Sequence, residues 1–154
     1  GGAKNLLVSA CLLGEKCRYD GGSRECTHPI FTKWRNDGLL VPICPEVRGG
    51  LPVPRTPCER RGGAVASRGG EDFTEQYLAG AQAAVRLARE CGAALCVLKE
   101  NSPSCGAGFV YDGTFSGRTV RGQGLAAQLL RQAGFAVFSE NELEAAAEFL
   151  AQEK

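Results

Sequence analysis

Short apolar runs alternate with amphipathic helical patterns along this chain, and this alternation constrains its fold more than any other feature. The apolar runs have the length of strands and are predicted at residues 5–10, 39–43, 94–98 and 135–138. Continuous apolar runs are typical of strands that are buried on both faces of a sheet. Strands that alternate with helices pair in parallel. The sequence therefore predicts an α/β fold with a mostly parallel, Rossmann-like sheet in a three-layer arrangement.

The length of the chain favours one domain, and we expect a single domain over residues 3–154. The clearest helical pattern covers residues 72–91 and is closed by Gly92. An earlier helix is predicted with Thr27 as its N-cap and Pro29 in its first turn.

Weaker patterns complete the prediction of secondary structure. A helix is expected at residues 122–133, and a small excursion with a turn at residues 109–120. Ser139 and Glu142 have the spacing of a capping box, which predicts the start of the last helix. Residues 45–70 are rich in proline and glycine, so we expect a functional loop or a short hairpin there.

Composition excludes several classes of function. The formal charge is only +1, which gives no basic surface for a nucleic acid. The apolar runs are too short to cross a membrane, and no secretory leader is visible. We therefore expect a cytoplasmic protein with neither a nucleic-acid partner nor a membrane partner.

Three of the eight cysteines follow predicted strands, at the point where the apolar run gives way to glycine, proline or serine. They are Cys11, Cys44 and Cys105. In an open parallel sheet, the loops at the carboxyl ends of the strands form the ligand crevice. The cysteines are therefore predicted to converge on a metal or cluster site. Cys91 and Cys96 fit apolar patterns and are predicted core residues, and no role is assigned to Cys17, Cys26 or Cys58.

The chemistry of three thiolates leaves several metals open. Thiolates select zinc, cuprous ion or iron–sulfur clusters. The wide spacing of the cysteines is unlike that of a local zinc knuckle, so a preformed sheet has to assemble the site. Three thiolates leave one iron of a four-iron cluster with an open coordination position, which acts as a Lewis acid. Glu46 is then well placed as a base, and Ser102 as a donor of a proton or hydrogen bond.

Three blocks of sequence resemble the signature blocks of the bacterial thiouracil desulfidases. They are Ser9-Ala-Cys-Leu-Leu-Gly14 with Cys17-Arg-Tyr-Asp-Gly21, Cys44-Pro-Glu-Val-Arg-Gly-Gly-Leu51 with Pro54-Arg-Thr-Pro57 and Glu59, and Leu98-Lys-Glu-Asn-Ser-Pro-Ser-Cys-Gly106. The resemblance implies a 4Fe–4S cluster held by Cys11, Cys44 and Cys105. It also implies that Glu46 and Ser102 are catalytic in the non-redox, hydrolytic conversion of 2-thiouracil to uracil and hydrogen sulfide at the open iron.

Proximity in sequence to the ligand cysteines suggests which residues contact the thiolated pyrimidine. They are Arg18, Tyr19, Asn101 and Ser104. The residues alone leave other interpretations open: a redox sensor in which Cys11, Cys17 or Cys26 forms a reversible disulfide, a zinc-binding protein without turnover, and a hydrolase with Cys105 as its nucleophile. The sequence predicts neither the oligomeric state nor the natural thiolated substrate.

Overall fold

The computed structural model describes residues 4–152, so Ala3, Glu153 and Lys154 of the predicted domain lie outside the described residues. In chain order the elements are β1 (Leu6–Ser9), α1 (Pro29–Asn36), β2 (Leu40–Ile43), α2 (Pro45–Arg48), β3 (Cys58–Arg61), β4 (Ala64–Ser67), α3 (Thr74–Cys91), β5 (Leu95–Leu98), β6 (Phe109–Tyr111), β7 (Thr119–Arg121), α4 (Leu125–Gln132), β8 (Val137–Ser139) and α5 (Leu143–Gln152). A short 3₁₀ turn, Ala10–Leu13, follows β1.

Four parallel strands form the central sheet in the order β2-β1-β5-β8. The α/β class predicted from the sequence is confirmed. Strand β1 lies in the middle, with Leu6 opposite Leu40 of β2 on one side and Leu95 of β5 on the other. The chain therefore crosses from one side of β1 to the other after β2. Such a reversal of strand order opens a crevice at the carboxyl ends of the strands.

Each face of the sheet is covered by its own apolar cluster, because successive side chains of a strand point to opposite faces. Leu7 and Cys96 pack in the cluster that includes Tyr77 and Ala81 of α3. The other cluster combines Leu6, Val8, Leu95 and Val97 with Phe31 and Trp34 of α1 and with Leu143 and Ala146 of α5. Helices thus cover both faces of the sheet, which gives the three layers that the alternation of patterns predicts.

The helix ends follow the predicted caps with one exception. Helix α3 ends at Gly92 in a left-handed conformation (φ 64°), as predicted. The backbone N–H of Ser139 donates to Glu142 Oε1 at 2.9 Å, which is half of the predicted capping box. Thr27 was the wrong N-cap for α1. His28 occupies that position, and its Nδ1 atom accepts a hydrogen bond from the Ile30 N–H. The Nδ1 atom is close enough to the backbone to act as the side-chain acceptor of an N-cap, as the oxygen of a serine or threonine does.

The predicted loop at residues 45–70 contains more regular structure than expected. It begins with helix α2, a single turn, and continues to the antiparallel hairpin of β3 and β4. The backbones of α2 and α3 are in direct contact, which only glycine allows at two positions. A Cβ atom at Gly49 would overlap the carbonyl of Gln76, and one at Gly80 would overlap the carbonyl of Pro45. No helix among residues 4–152 is long and apolar enough to cross a bilayer.

Candidate active site

Three cysteines lie just beyond the carboxyl ends of three adjacent strands. Cys11 is in the 3₁₀ turn after β1, Cys44 is the residue between β2 and α2, and Cys105 is in the loop after β5. All three line one cavity of about 490 Å³. This volume lies within the range of about 300–1,000 Å³ that is usual for ligand pockets. The strand-end positions that the sequence indicates therefore meet in space.

Cys11 and Cys105 are buried, whereas Cys44 is partly buried, and burial disfavours the charged form of a thiol. Cys11 is 7% exposed and Cys105 is 5% exposed. Burial, with a smaller contribution from Cys44, raises the pKa of Cys11 to about 11. Burial also raises the pKa of Cys105 well above its usual range, although a hydrogen bond with Ser9 opposes the shift. Positive charge in the cavity, such as a metal centre provides, favours deprotonation of Cys11 and Cys105.

Cys17 is a fourth cysteine of the cavity. A hydrogen bond with the Cys17 side chain lowers the pKa of Cys44 to about 7, and the same interaction, with burial, raises the pKa of Cys17. The Cys44 thiol also lies 3.7 Å from the Cys17 carbonyl oxygen. Cys58 lines another part of the cavity and contacts the Thr56 carbonyl oxygen at 3.6 Å. All eight cysteines are free thiols.

The donor set fits a cluster better than a single ion. Among residues 4–152, no three His, Cys, Asp or Glu side chains lie close enough together to hold one metal ion. A tetrahedral zinc site requires such closeness, because all ligands bind the same atom. A cluster binds each thiolate at a different iron, so its ligands stand farther apart. Three soft thiols around one cavity suit an iron–sulfur cluster.

Glu46 enters the cavity from helix α2 and is held at one oxygen. Its Oε1 atom accepts a short hydrogen bond from the Tyr77 hydroxyl and one from Arg55 Nε at 3.4 Å. The Glu46 side chain is only 15% exposed. Burial, followed by the neighbouring Glu46, raises the pKa of Tyr77 above its usual range, so the phenol keeps its proton and acts as the donor.

Ser102 lies in the loop before Cys105 and also lines the cavity. Its Oγ atom accepts hydrogen bonds from the backbone N–H groups of Ser104 and Cys105, each at 3.0 Å. With both lone pairs engaged, the hydroxyl hydrogen remains free to donate. Ser102 therefore fixes the turn that carries Cys105 and can still donate a hydrogen bond into the cavity.

Ser104 is the one predicted substrate contact that the structure does not bring to the cavity lining. Its side chain is 0% exposed, and its hydroxyl has no partner among the described residues. The physical reason is the start of α4, which packs on the Ser104 backbone so closely that a Cβ at Gly124 would overlap it. Close packing on the Ser104 backbone therefore explains the glycine at position 124.

The other predicted substrate contacts do line the cavity: Arg18, Tyr19 and Asn101. The guanidinium of Arg18 lies 5.7 Å from the Tyr19 ring centroid. Its Nη1 atom is buried and, within residues 4–152, has no hydrogen-bond partner. Asn101 adopts a left-handed backbone conformation (φ 72°), which asparagine tolerates better than most residues.

Three further residues line the cavity: Arg55, Tyr77 and Lys99. Sequence patterns give no role to Tyr77 or Lys99. Tyr77 fits the apolar periodicity of α3, so only its hydroxyl distinguishes it from an ordinary core residue. Arg55 lies in an arginine-rich loop, for which the sequence alone leaves open a solvated rim or a clamp for an anionic or carbonyl-bearing ligand. Lys99 forms an ion pair with Glu140 at 2.8 Å. Glu140 follows β8, which is distant from Lys99 in sequence.

A family model, a sequence relative and a solved structure each match nearly the whole chain. Residues 6–142 match the family described as 2-thiouracil desulfurase. The chain is 45% identical over 148 residues to YbbK, an uncharacterized protein of Bacillus subtilis strain 168, in an alignment that covers 90% of this chain and 97% of YbbK. Its fold is similar to that of the solved 4Fe–4S-dependent thiouracil desulfidase TudS, with a TM-score of 0.95, 41% identity, and coverage of 97% of this chain and 99% of that one.

Proposed function

Because this chain belongs to the 2-thiouracil desulfurase family, we propose that it is a 4Fe–4S-dependent thiouracil desulfidase. The observation that carries the proposal is the meeting of three strand-end thiols with Glu46 and Ser102 in one cavity. Cys11, Cys44 and Cys105 hold the cluster. The bound cluster supplies an iron with an open coordination position, a Lewis acid that polarises the thiocarbonyl group of the substrate.

Glu46 acts as the general base of the reaction. Its Oε2 atom takes a proton from a water molecule, whose oxygen attacks the carbon of the C=S bond. The carbon–sulfur bond then breaks, and the products of 2-thiouracil and water are uracil and hydrogen sulfide. No electron is transferred, so the reaction needs no redox partner. The Ser102 hydroxyl donates a hydrogen bond to the reacting pyrimidine and stabilises the charge that develops on it.

Arg18 and Tyr19 bind the pyrimidine ring. The unpartnered Nη1 of Arg18 supplies a buried donor, and a pyrimidine carbonyl oxygen satisfies it. Tyr19 is 41% exposed and offers a ring face at the cavity mouth. Asn101 contributes a further polar group. The substrate is a small thiolated pyrimidine, since a formal charge of +1 gives no excess of basic groups for a nucleic acid. The eight free thiols suit the reducing cytoplasm.

Anaerobic purification followed by iron and sulfide analysis tests the cofactor. We expect a brown protein with about four irons and four sulfides per chain, the composition of one cubane cluster. Cys11→Ala, Cys44→Ala and Cys105→Ala should each lose iron. The matched control is Cys91→Ala, whose thiol contacts only the Ala88 carbonyl oxygen of its own helix and lies outside the cavity. A colourless protein that binds a single zinc ion would refute the proposal.

Conversion of 2-thiouracil to uracil, followed by absorbance and by release of sulfide, tests the reaction. Glu46→Gln should keep its iron and lose activity by roughly 100-fold or more, the usual contribution of a general base. The amide retains the size of the side chain but does not accept the proton of the attacking water. Full activity in Glu46→Gln would remove this residue from the mechanism.

A further inference from the structure

We propose that Tyr77 and Arg55 are positioning residues that hold the Oε1 atom of Glu46, so that Oε2 is the oxygen that meets the attacking water. This inference rests on the proposed function, because it specifies how the general base of that reaction is held. Neither residue is a predicted ligand of the cluster. Each contacts the Glu46 carboxylate directly, and the inference is that it acts on the reaction through that carboxylate.

Tyr77 is a core residue with a polar end directed at the site. It is 1% exposed and packs in the apolar cluster between α3 and the sheet. A buried phenol needs a hydrogen-bond partner, and the partner here is Glu46 Oε1. Because the ring is fixed by packing on all sides, the position of its hydroxyl is fixed as well.

Arg55 holds the same oxygen from a second direction. Its side chain is only 4% exposed, and Nε donates to Glu46 Oε1 at 3.4 Å. The other nitrogens of the guanidinium donate to the carbonyl oxygens of Cys17 at 2.8 Å and Pro52 at 3.1 Å. A guanidinium fixed at three points has little freedom to rotate, which makes it a rigid donor.

The backbone beneath Glu46 is fixed by contact with α3. Helix α2 is one turn long and is too short to be stable without tertiary contacts. Gly49 and Gly80 allow the backbones of α2 and α3 to touch, since a Cβ at either position would overlap a carbonyl of the other helix. The contact between the backbones of α2 and α3 therefore sets the separation of Glu46 and Tyr77.

The two oxygens of the Glu46 carboxylate therefore differ in their hydrogen bonding. Oε1 accepts from two fixed donors, whereas Oε2 accepts no hydrogen bond from residues 4–152. A general base works best when the accepting oxygen is held in one orientation within reach of the proton. Without the two donors the carboxylate rotates, and the fraction of time in the productive orientation falls.

Tyr77→Phe tests the inference, because it removes one oxygen and keeps the ring that packs in the core. We expect kcat to fall roughly 10- to 100-fold with KM within about threefold of wild type, since substrate binding is untouched. Iron content and the visible spectrum of the cluster should match wild type. Arg55→Lys tests the second donor in the same way, and a loss of kcat is again expected because an ammonium group does not reproduce the planar fork.

The decisive measurement repeats Tyr77→Phe in the Glu46→Gln background under single-turnover conditions. If Tyr77 acts through Glu46, the second substitution lowers the residual rate by less than about twofold. An equal loss in both backgrounds, or wild-type kcat in Tyr77→Phe and Arg55→Lys, would overturn the inference. A wild-type chain that holds no cluster and releases no sulfide overturns the proposed function instead. Wild-type activity in Glu46→Gln overturns the inference and removes Glu46 from the mechanism, while the proposed desulfidase activity stands.

Discussion

Replacing Ser102 with alanine should destabilise the apoprotein, because the Ser102 hydroxyl organises the turn that carries Cys105. Its Oγ atom accepts from the backbone N–H groups of Ser104 and Cys105, each at 3.0 Å. Ser104 is 0% exposed and Cys105 is 5% exposed, so water replaces the lost acceptor poorly. The variant therefore leaves two backbone donors without a partner.

The expected loss in the free energy of unfolding is about 2 kcal/mol. Each hydrogen bond contributes a net of about 0.5–1.5 kcal/mol. Loss of a serine cap at the start of a helix costs a similar amount, about 0.5–2 kcal/mol. In a chain of this size, about 2 kcal/mol lowers Tm by about 4–8 °C. The Cys105 thiol loses its fixed position at the same time, so the variant should also retain less iron.

Urea unfolding of the metal-free proteins under anaerobic, reducing conditions measures this loss without a contribution from the cluster. Ser102→Thr keeps the hydroxyl and should lie closer to wild type. Ser104→Ala is the matched control, because it removes a buried hydroxyl that has no partner within residues 4–152. Its stability should be unchanged or higher by up to about 1 kcal/mol, since an unsatisfied polar group is lost.

Two results would refute this reasoning about the turn. In the first, Ser102→Ala unfolds within about 0.3 kcal/mol of wild type, a difference too small for the loss of even one net hydrogen bond. In the second, Ser104→Ala is as unstable as Ser102→Ala. The loss would then reflect general intolerance of the loop to substitution and not the two hydrogen bonds to Ser102.

Three further substitutions test the fold around the site, each by urea unfolding of the metal-free protein. His28→Ala removes the acceptor of the Ile30 N–H and should cost about 1 kcal/mol, whereas His28→Asp restores a cap and should cost less; equal losses would contradict the cap. Gly92→Ala places a methyl group at φ 64° and should cost about 1 kcal/mol; an unchanged midpoint would refute the left-handed end of α3. Gly80→Ala forces a Cβ into the Pro45 carbonyl and should cost about 1–3 kcal/mol, and a neutral effect would contradict the backbone contact.

The positions of the three cysteines could be predicted because they depend on topology alone. Each thiol follows an apolar run, and parallel strands bring their carboxyl ends to one edge of a sheet. The predicted strands and the long helix needed to be correct only to within a few residues. Cys11 illustrates this tolerance: the strand predicted to continue to residue 10 ends at Ser9, yet the thiol still lies at the edge of the sheet.

The groups that hold Glu46 could not be predicted, because tertiary contacts and not local patterns select them. Tyr77 occupies a core position of an amphipathic helix, and hydrophobic periodicity identifies every such position simply as part of the core. The prediction that Ser104 contacts the substrate was wrong for the converse reason. The neighbours of Ser104 in sequence line the cavity, but Ser104 itself is 0% exposed and its backbone packs against the start of α4, a tertiary contact that leaves no trace in composition.

The order of the strands explains why the three strand-end cysteines are neighbours. The three adjacent strands β2, β1 and β5 each deliver one cysteine to the common edge. The fourth strand, β8, is followed by Glu140, which pairs with Lys99 and accepts from the Glu100 N–H, so this strand adds an ion pair to the edge in place of a thiol. Strands β2, β1 and β5 thus bring three soft ligands to one edge, where Glu46 and Ser102 also line the cavity. In the proposed desulfidase, Cys11, Cys44 and Cys105 would hold the cluster, which would supply a Lewis acid to the substrate.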